Sequence, residues 1–398
     1  MVQFGEPYGM QATPGGQLSQ ENIVGRDERV ASLWMQAESA SLLMSDMRRL
    51  GKSSVLTLMT IQQPPGWECI KVSLQGVGTT VEFATKLLAQ VRQFQGLPKR
   101  AVEALKGFLS ALDIKADAGP VSVSLSPAFR DVPLDALEAA LAKVADVLND
   151  QGLRLLLACD EVPDMLLTIA DTEGPDAAKR VLAVLRRFRD GPVNTPIRWL
   201  LTGSVGVHHV LRRIGAGDDL VNDLDFVPLG PLDEDWSTWL AECLLLGADL
   251  GYDPETPAEI ARITDGIPYL AHLLVAYARD DPKRGHLSPG DASEVFDLAG
   301  ADLDLSRQST HLLTRIDPHY GDDAETARWV LDQVAGCAQS REMLATAAAW
   351  GAPGAVTETQ LRLILDLLVL DHYLHRDPAG VYEWRYRSLA RIWKIRRA

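Results

Sequence analysis

The 398 residues, 46% hydrophobic and 23% charged, suffice for two or three domains with a sizeable core. A formal net charge of −15 opposes nonspecific attraction to nucleic acid by the chain as a whole, though not a local basic patch. No apolar run reaches membrane-span length, and Met1 to Gly16 is rich in Gly and Pro with no apolar signal core, so a cytoplasmic location is expected.

In chain order, residues 1–20 read as an extended arm. Asn22 to Glu28 opens a helix running to about Ser39, with Asp27 as its cap and Val30, Leu33 and Trp34 on one face. Its place before the first strand puts Ile23, Val24, Gly25 and Arg26 near a bound base. Ala40 to Met44 is an apolar strand and Val55 to Ile61 a helix. Between them lies Arg48-Arg49-Leu50-Gly51-Lys52-Ser53-Ser54, a strand–loop–helix setting that fits a phosphate-binding loop. Backbone N–H groups at a helix N-terminus point at an anion, and the helix dipole favours its charge. Arg49, Gly51, Lys52, Ser53 and Ser54 are therefore the candidate nucleotide contacts. Lys52 reaches the outer phosphates and Ser53 ligates Mg²⁺. Asp46 stands where the pattern wants glycine. Asp tolerates a left-handed backbone, and its carboxylate is harmless there only if it points away from the phosphates.

Glu68 to Leu74 alternates as a strand, and helices are expected at Thr79 to Gln95 and at about Lys99 to Leu112. Val121 to Ser126 alternates strictly, a strand or hairpin within an insertion at about 96–131. Leu134 to Asn149 is an amphipathic helix. Leu153 to Cys159 is a buried strand ending in Asp160-Glu161, two acids where a parallel sheet binds ligands. Paired with Lys52, they read as a metal-holding Asp160 beside Ser53 and a water-polarising Glu161. Ala177 to Asp190 has a basic face, read as solvated. Ile197 to Leu201 is the next strand, and Thr202 at its end is placed to orient water. His208, His209, Arg212 and Arg213 lie on the helix that follows, and Asp225 to Leu229 is a last strand. Alternating strands and helices with strands buried on both faces mean a mostly parallel sheet. The four cysteines, Cys69, Cys159, Cys243 and Cys337, are far apart and read as buried thiols.

From Leu232 the pattern is helical, with segments near 233–250, 255–265, 268–280 and 289–299; Gly266-Ile267-Pro268 separates two of them. Helices near 324–335, 340–349 and 358–369 precede a hairpin, Tyr373 to Tyr386, turning at Asp377 to Gly380. Three helices and a hairpin make a winged helix, followed by a terminal helix with a basic end. The expected domains are an arm (1–20), an α/β nucleotide-binding core (21–231), a helical lid (232–300) and a winged helix (301–398).

In order and spacing, Asn22 to Glu28, Arg48 to Ser53, Leu155 to Glu161, Thr202 to Ser204, Gly266 to Pro268 and the winged helix resemble one family. It is the archaeal-type ATPases of the STAND clade, close to the AAA+ proteins. The resemblance implies an ASCE-type parallel-sheet core, a lid, and a winged helix closing over ATP or ADP with Mg²⁺. Gly266 and Pro268 match the clade's Gly-x-Pro motif, which contacts the nucleotide from the lid. Arg212 and Arg213 stand where AAA+ proteins place an arginine finger. Three readings follow. The first is a slow ATPase switch that acts on a partner protein or by self-association, in signalling or defence. The second is a DNA-binding regulator or initiator-like ATPase. The third is a scaffold that binds nucleotide without turning it over.

Overall fold

The computed structural model describes residues 5–16, 18–93, 99, 103, 133–189, 195–203, 206–302 and 316–397. Apart from 99 and 103, both helical, the helix and strand expected within 96–131 lie outside these. The chain forms two compact units. One holds residues 27–45 and 52–229. The other holds 1–26, 46–51 and 230–398.

The first unit runs α1 (Asp27–Ala37), β1 (Leu42–Ser45), α2 (Lys52–Ile61), β2 (Trp67–Ser73), α3 (Thr80–Gln93), α4 (Pro133–Gln151), β3 (Arg154–Asp160), α5 (Val162–Glu173), α6 (Pro175–Arg189), β4 (Ile197–Gly203), α7 (Val207–Ile214) and β5 (Asp225–Phe226). Its sheet has the order β2-β3-β4-β1-β5, and every pairing is parallel. Parallel strands joined by helices are covered on both faces, so the interior strands read as unbroken apolar runs. Leu155 to Cys159 and Ile197 to Gly203 are buried throughout. Helices α3, α4, α5, α6 and α7 contribute to one core around Phe83, Leu137 and Trp199. Each such large side chain contributes about 1.5–3 kcal/mol on burial.

Asp27 is the first residue of α1, not a cap outside it, and its carboxylate accepts a hydrogen bond from the Gln62 side chain at 2.6 Å. The basic face of α6 is not simply solvated. Arg187 pairs with Glu138 at 2.5 Å, and Arg189, almost wholly buried, forks onto Asp223 at 2.6 and 3.0 Å. Cys69 and Cys159 are buried in β2 and β3. Burial pushes the Cys69 thiol up to about 12 and Cys159 up as well, which leaves them unreactive. Cys337 departs from the expectation and is exposed.

The second unit begins with the arm and continues as α8 (Glu234–Gly247), β6 (Gly251–Tyr252), α9 (Thr256–Ile263), α10 (Pro268–Asp280), β7 (His286–Leu287), α11 (Pro289–Ala301) and α12 (Ile316–Tyr320). Then come α13 (Ala324–Gly336), β8 (Gln339–Ser340), α14 (Arg341–Gly351), α15 (Glu358–Leu370), β9 (Leu374–Arg376), β10 (Val381–Trp384) and α16 (Arg387–Arg397). Strands β6 and β7 pair in parallel, and β8-β10-β9 form an antiparallel sheet. The starts follow local chemistry. Ser288 and Asp291 form a capping box on α11, Thr357 caps α15, and Pro268 takes the first turn of α10, where no N–H is needed. Among the described residues no helix is long and apolar enough to cross a membrane.

The arm is extended and strapped down. Met10 N donates to Cys243 O at 2.9 Å, Thr13 N donates to His272 Nδ1 at 3.2 Å, and Trp239 Nε1 donates to Gly5 O at 2.9 Å. Tyr8 meets Trp239 edge-on, and Met10 is fully buried. A side chain at Gly247 would collide with the Met10 backbone. Gly247→Ala is therefore expected to displace the strap, costing about 1–3 kcal/mol. Hydrogen exchange at the Met10 amide reports it, and unchanged protection would show that the strap tolerates the added methyl.

Candidate functional site

The two units divide the candidate loop between Gly51 and Lys52. In the sheet unit, the apolar run of β1 ends at Ser45 and α2 starts at Lys52, so the helix N-terminus opens directly behind Gly51. Lys52 is buried, with 7% of its surface exposed. A lysine this deep at the positive end of a helix dipole is stabilised by an anion. Ser53, on the same first turn, donates its hydroxyl to Asp160 Oδ2 at 2.5 Å. Thr202 donates its hydroxyl to the other oxygen, Asp160 Oδ1, also at 2.5 Å.

Asp160 is thus satisfied twice, and strand order explains how. It ends β3, and Thr202 lies near the end of neighbouring β4, where Cys159 registers with Leu201. Asp160 and Thr202 are both buried, whereas Ser54 is half-buried. The carboxylate and the Ser53 hydroxyl offer a hard cation two adjacent oxygens. That set suits Mg²⁺, which takes few protein oxygens and keeps waters and phosphates for its other positions.

Glu161 follows with φ of 62°, left-handed, in the N-cap position of α5, and is partly exposed. A non-glycine residue held there carries local strain, a feature that concentrates at functional positions. Arg212 and Arg213 are exposed on α7, and Arg213 bonds Asp171 at 2.7 Å. His208 stacks on Phe226, and His209 is buried.

One group that sequence reasoning missed is Lys71, on β2. It donates to Ser53 O at 2.8 Å and to Thr57 Oγ1 at 2.9 Å. A single lysine in an alternating strand carries no motif, and only the packing of β2 on α2 brings it to the loop helix.

In the other unit, Asp46 resolves the question its position raised. It is 1% exposed, and its carboxylate turns back into the protein. Oδ1 accepts from Met47 N at 2.7 Å and Oδ2 from Gly230 N at 2.9 Å. Asp46 is not left-handed. The positive φ values in the loop belong to Arg49 (73°) and Gly51 (95°). Arg26, expected beside a base, grips backbone carbonyls: its Nη2 donates to Leu50 O at 2.8 Å and to Gly230 O at 3.1 Å. Arg49 lies over the ring of Tyr269, 5.0 Å from its centroid. Burial pushes the Tyr386 hydroxyl up, and the Asp46 charge pushes it the same way.

Gly25 and Gly266 serve close packing. A Cβ on Gly25 would lie 2.7 Å from the Trp236 ring, and one on Gly266 would run into the Leu232 carbonyl. Gly266 is left-handed at φ of 66°, and its own carbonyl accepts from Leu232 N at 2.9 Å. Pro268 opens α10 immediately before Tyr269, and Val24 is half-buried beside Gly25. The structure thus gathers Arg26, Asp46, Arg49 and Leu50 in one unit and Ser53, Asp160 and Thr202 in the other.

No known sequence family and no curated protein matches the chain by sequence. Solved structures do. A Walker-type ATPase of Pyrococcus abyssi matches with a TM-score of 0.62 at 19% identity, over 97% of this chain and 100% of that one. The ORC2 protein of Aeropyrum pernix, solved as ADPNP–ADP complexes, matches with a TM-score of 0.51 at 14% identity, over 94% and 93%. At such identities the likeness establishes the fold alone, an α/β architecture built on a five-stranded parallel sheet.

Proposed function

We propose that this chain binds ATP with Mg²⁺ at the 46–54 loop and hydrolyses it slowly, as a switch of the STAND type. The observation that carries the reading is the cluster of Ser53, Asp160 and Thr202 at the N-terminus of α2, directly after Gly51-Lys52. Lys52 and the backbone N–H groups of Gly51 to Ser54 hold the phosphates. Ser53 and Asp160 would hold Mg²⁺, which would supply positive charge beside the phosphates. Glu161 polarises the attacking water, and Thr202 fixes the rotamer of Asp160. Nucleotide in the complexes of the Aeropyrum pernix protein supports the choice of ligand.

The switch reading rests on the loop's ties within its own unit. Asp46 is bonded to Gly230 N, Leu50 O to Arg26, and Arg49 lies on Tyr269 at the start of α10. A change of loop conformation on binding has a short route to the lid helix. A ligand shifts such an equilibrium only by its differential affinity for the two states.

The segment from α13 to β10, with its three-stranded sheet, we read as a winged helix whose output is protein contact. Trp350 on α14 is 89% exposed and Met343 on the same helix is also exposed, and tryptophan is the residue most enriched in binding hot spots. The DNA reading finds less support. Arg391 and Arg397 of α16 pair with Asp297 and Asp332, both at 2.5 Å, and exposed positions of α15 include Glu358 and Asp366 as well as Arg362. The test is turnover. Glu161→Gln should keep nucleotide binding and abolish phosphate release, because it removes the base and keeps the shape. Binding by the wild type with no hydrolysis above a no-enzyme control, with or without candidate partners, would favour the scaffold reading.

A further inference from the structure

Lys71 is a second amine at the loop helix, and its setting assigns it more than a structural part. In the β2–β3 register Lys71 lies opposite Ala158 and Ser73 opposite Asp160. Paired residues of neighbouring strands share a face, so Lys71 stands diagonal to Asp160 on the side where α2 packs. Its ammonium is pinned by Ser53 O and Thr57 Oγ1, and Thr57 Oγ1 also donates to Ser53 O at 3.0 Å. Burial pushes the Lys71 pKa down, and the charge of Asp160 is the influence opposing that. A cation at the positive end of a helix is unfavourable in itself. Here it is held by Ser53 O and Thr57 Oγ1, from the first two turns of the helix that carries Ser53, and lies in the field of the carboxylate to which Ser53 donates.

We propose that Lys71 is a fixed counter-charge that sets how strongly nucleotide binding depends on Mg²⁺. The inference rests on the ATP·Mg²⁺ reading of Ser53 and Asp160. An immobile ammonium near Asp160 attracts a metal-free triphosphate and repels a divalent cation. It partly does the metal's work when metal is scarce and raises the Mg²⁺ concentration needed to fill the site. Lys71 touches neither phosphate nor metal in this account. It acts through Asp160 and Ser53 and is a positioning residue.

The test uses the full chain and the non-hydrolysable analogue ADPNP, titrated calorimetrically in EDTA and in saturating Mg²⁺, with a separate Mg²⁺ titration of the ADPNP-bound protein. A unit charge at this range in a partly buried site changes the binding of a charged ligand by about tenfold. Lys71→Met should weaken ADPNP about tenfold in EDTA and lower the Mg²⁺ concentration for half-saturation by about tenfold. The opposite signs are what a merely structural lysine cannot produce. Lys71→Arg keeps the charge and should restore both values. Thr57→Val removes both hydrogen bonds of the Thr57 hydroxyl, to Lys71 and to Ser53 O, keeps the charge, and should leave the ratio of the two affinities unchanged. Thermal melts establish that each variant is folded. An equal loss with and without Mg²⁺ in Lys71→Met would overturn the proposal while leaving the nucleotide site standing. A wild-type protein that binds no ADPNP in either condition would overturn the site and this inference together.

Discussion

Replacing Lys52 by alanine is expected to weaken binding of a fluorescent ATP analogue by about ten- to a hundredfold, the worth of one charge-assisted phosphate contact of about 1.5–3 kcal/mol. The expectation follows from where the amine is held. Lys52 is the first residue of α2, it is buried, and Gly51 before it has the positive φ that turns the chain into the helix. A buried ammonium costs several kcal/mol unless something compensates it. An anion at the helix N-terminus adds a charge-assisted contact to this ammonium. Because the lysine stem is also packed, Lys52→Met is the matched control: it keeps the stem and loses only the charge. If both variants bind the analogue as tightly as the wild type in a fluorescence titration, the loop is not a phosphate site.

What the sequence made legible, and what it did not, divides along a physical line. Elements with their own periodicity or caps could be read directly. The continuous runs of β3 and β4 and helices such as Thr256–Ile263 and Glu358–Leu370 came within a few residues of their observed bounds. The pairing of Ser53 with Asp160 was legible because the chemistry demands both residue types, although 107 positions separate them. Helix α5 was not anticipated. It starts from a left-handed Glu161 followed by Val162-Pro163, where local signals read as the end of a strand. Strands β6, β7 and β8 are two residues each, too short to show a period.

The arm's strap is held largely by backbone groups and by residues more than 200 positions away, and no side-chain pattern announces such contacts. Asp46 shows the same limit from the other side. Its identity was readable as a departure from the loop pattern, but the direction of its carboxylate was not. Direction decides the matter: two backbone N–H groups hold the charge inside the protein, and a departure that would repel phosphate becomes a tie between the loop and Gly230. Lys71 and Arg26 belong to this class too, since both find backbone oxygens that only the folded chain presents.

The arm also supplies a pH effect on the acid side, through His272 on α10. Thr13 N donates to His272 Nδ1 at 3.2 Å, so the neutral ring carries its proton on Nε2, a buried atom that makes no hydrogen bond among the described residues. A second proton would have to sit on Nδ1, facing the Thr13 N–H, and a charged ring would be shut away from water. Burial accordingly pushes this imidazole down from its ordinary 6.5 to about 4. Above pH 6.5 the ring is neutral in both the folded and the unfolded chain, and its contribution is fully present. As pH falls from 6.5 toward 4, the unfolded chain takes up a proton that the folded one refuses, so stability declines across that window by about 3 kcal/mol in all. His272→Gln removes the titration and keeps an oxygen able to accept from Thr13 N. Urea unfolding at about pH 7 and about pH 4.5 should cost the wild type roughly 2–3 kcal/mol more than the variant, while the carboxylates contribute equally to both. Hydrogen exchange at the Thr13 amide should rise with acid in the wild type in step with that loss. Identical pH slopes for the two proteins would mean that the imidazole is hydrated and that the strap does not seal it.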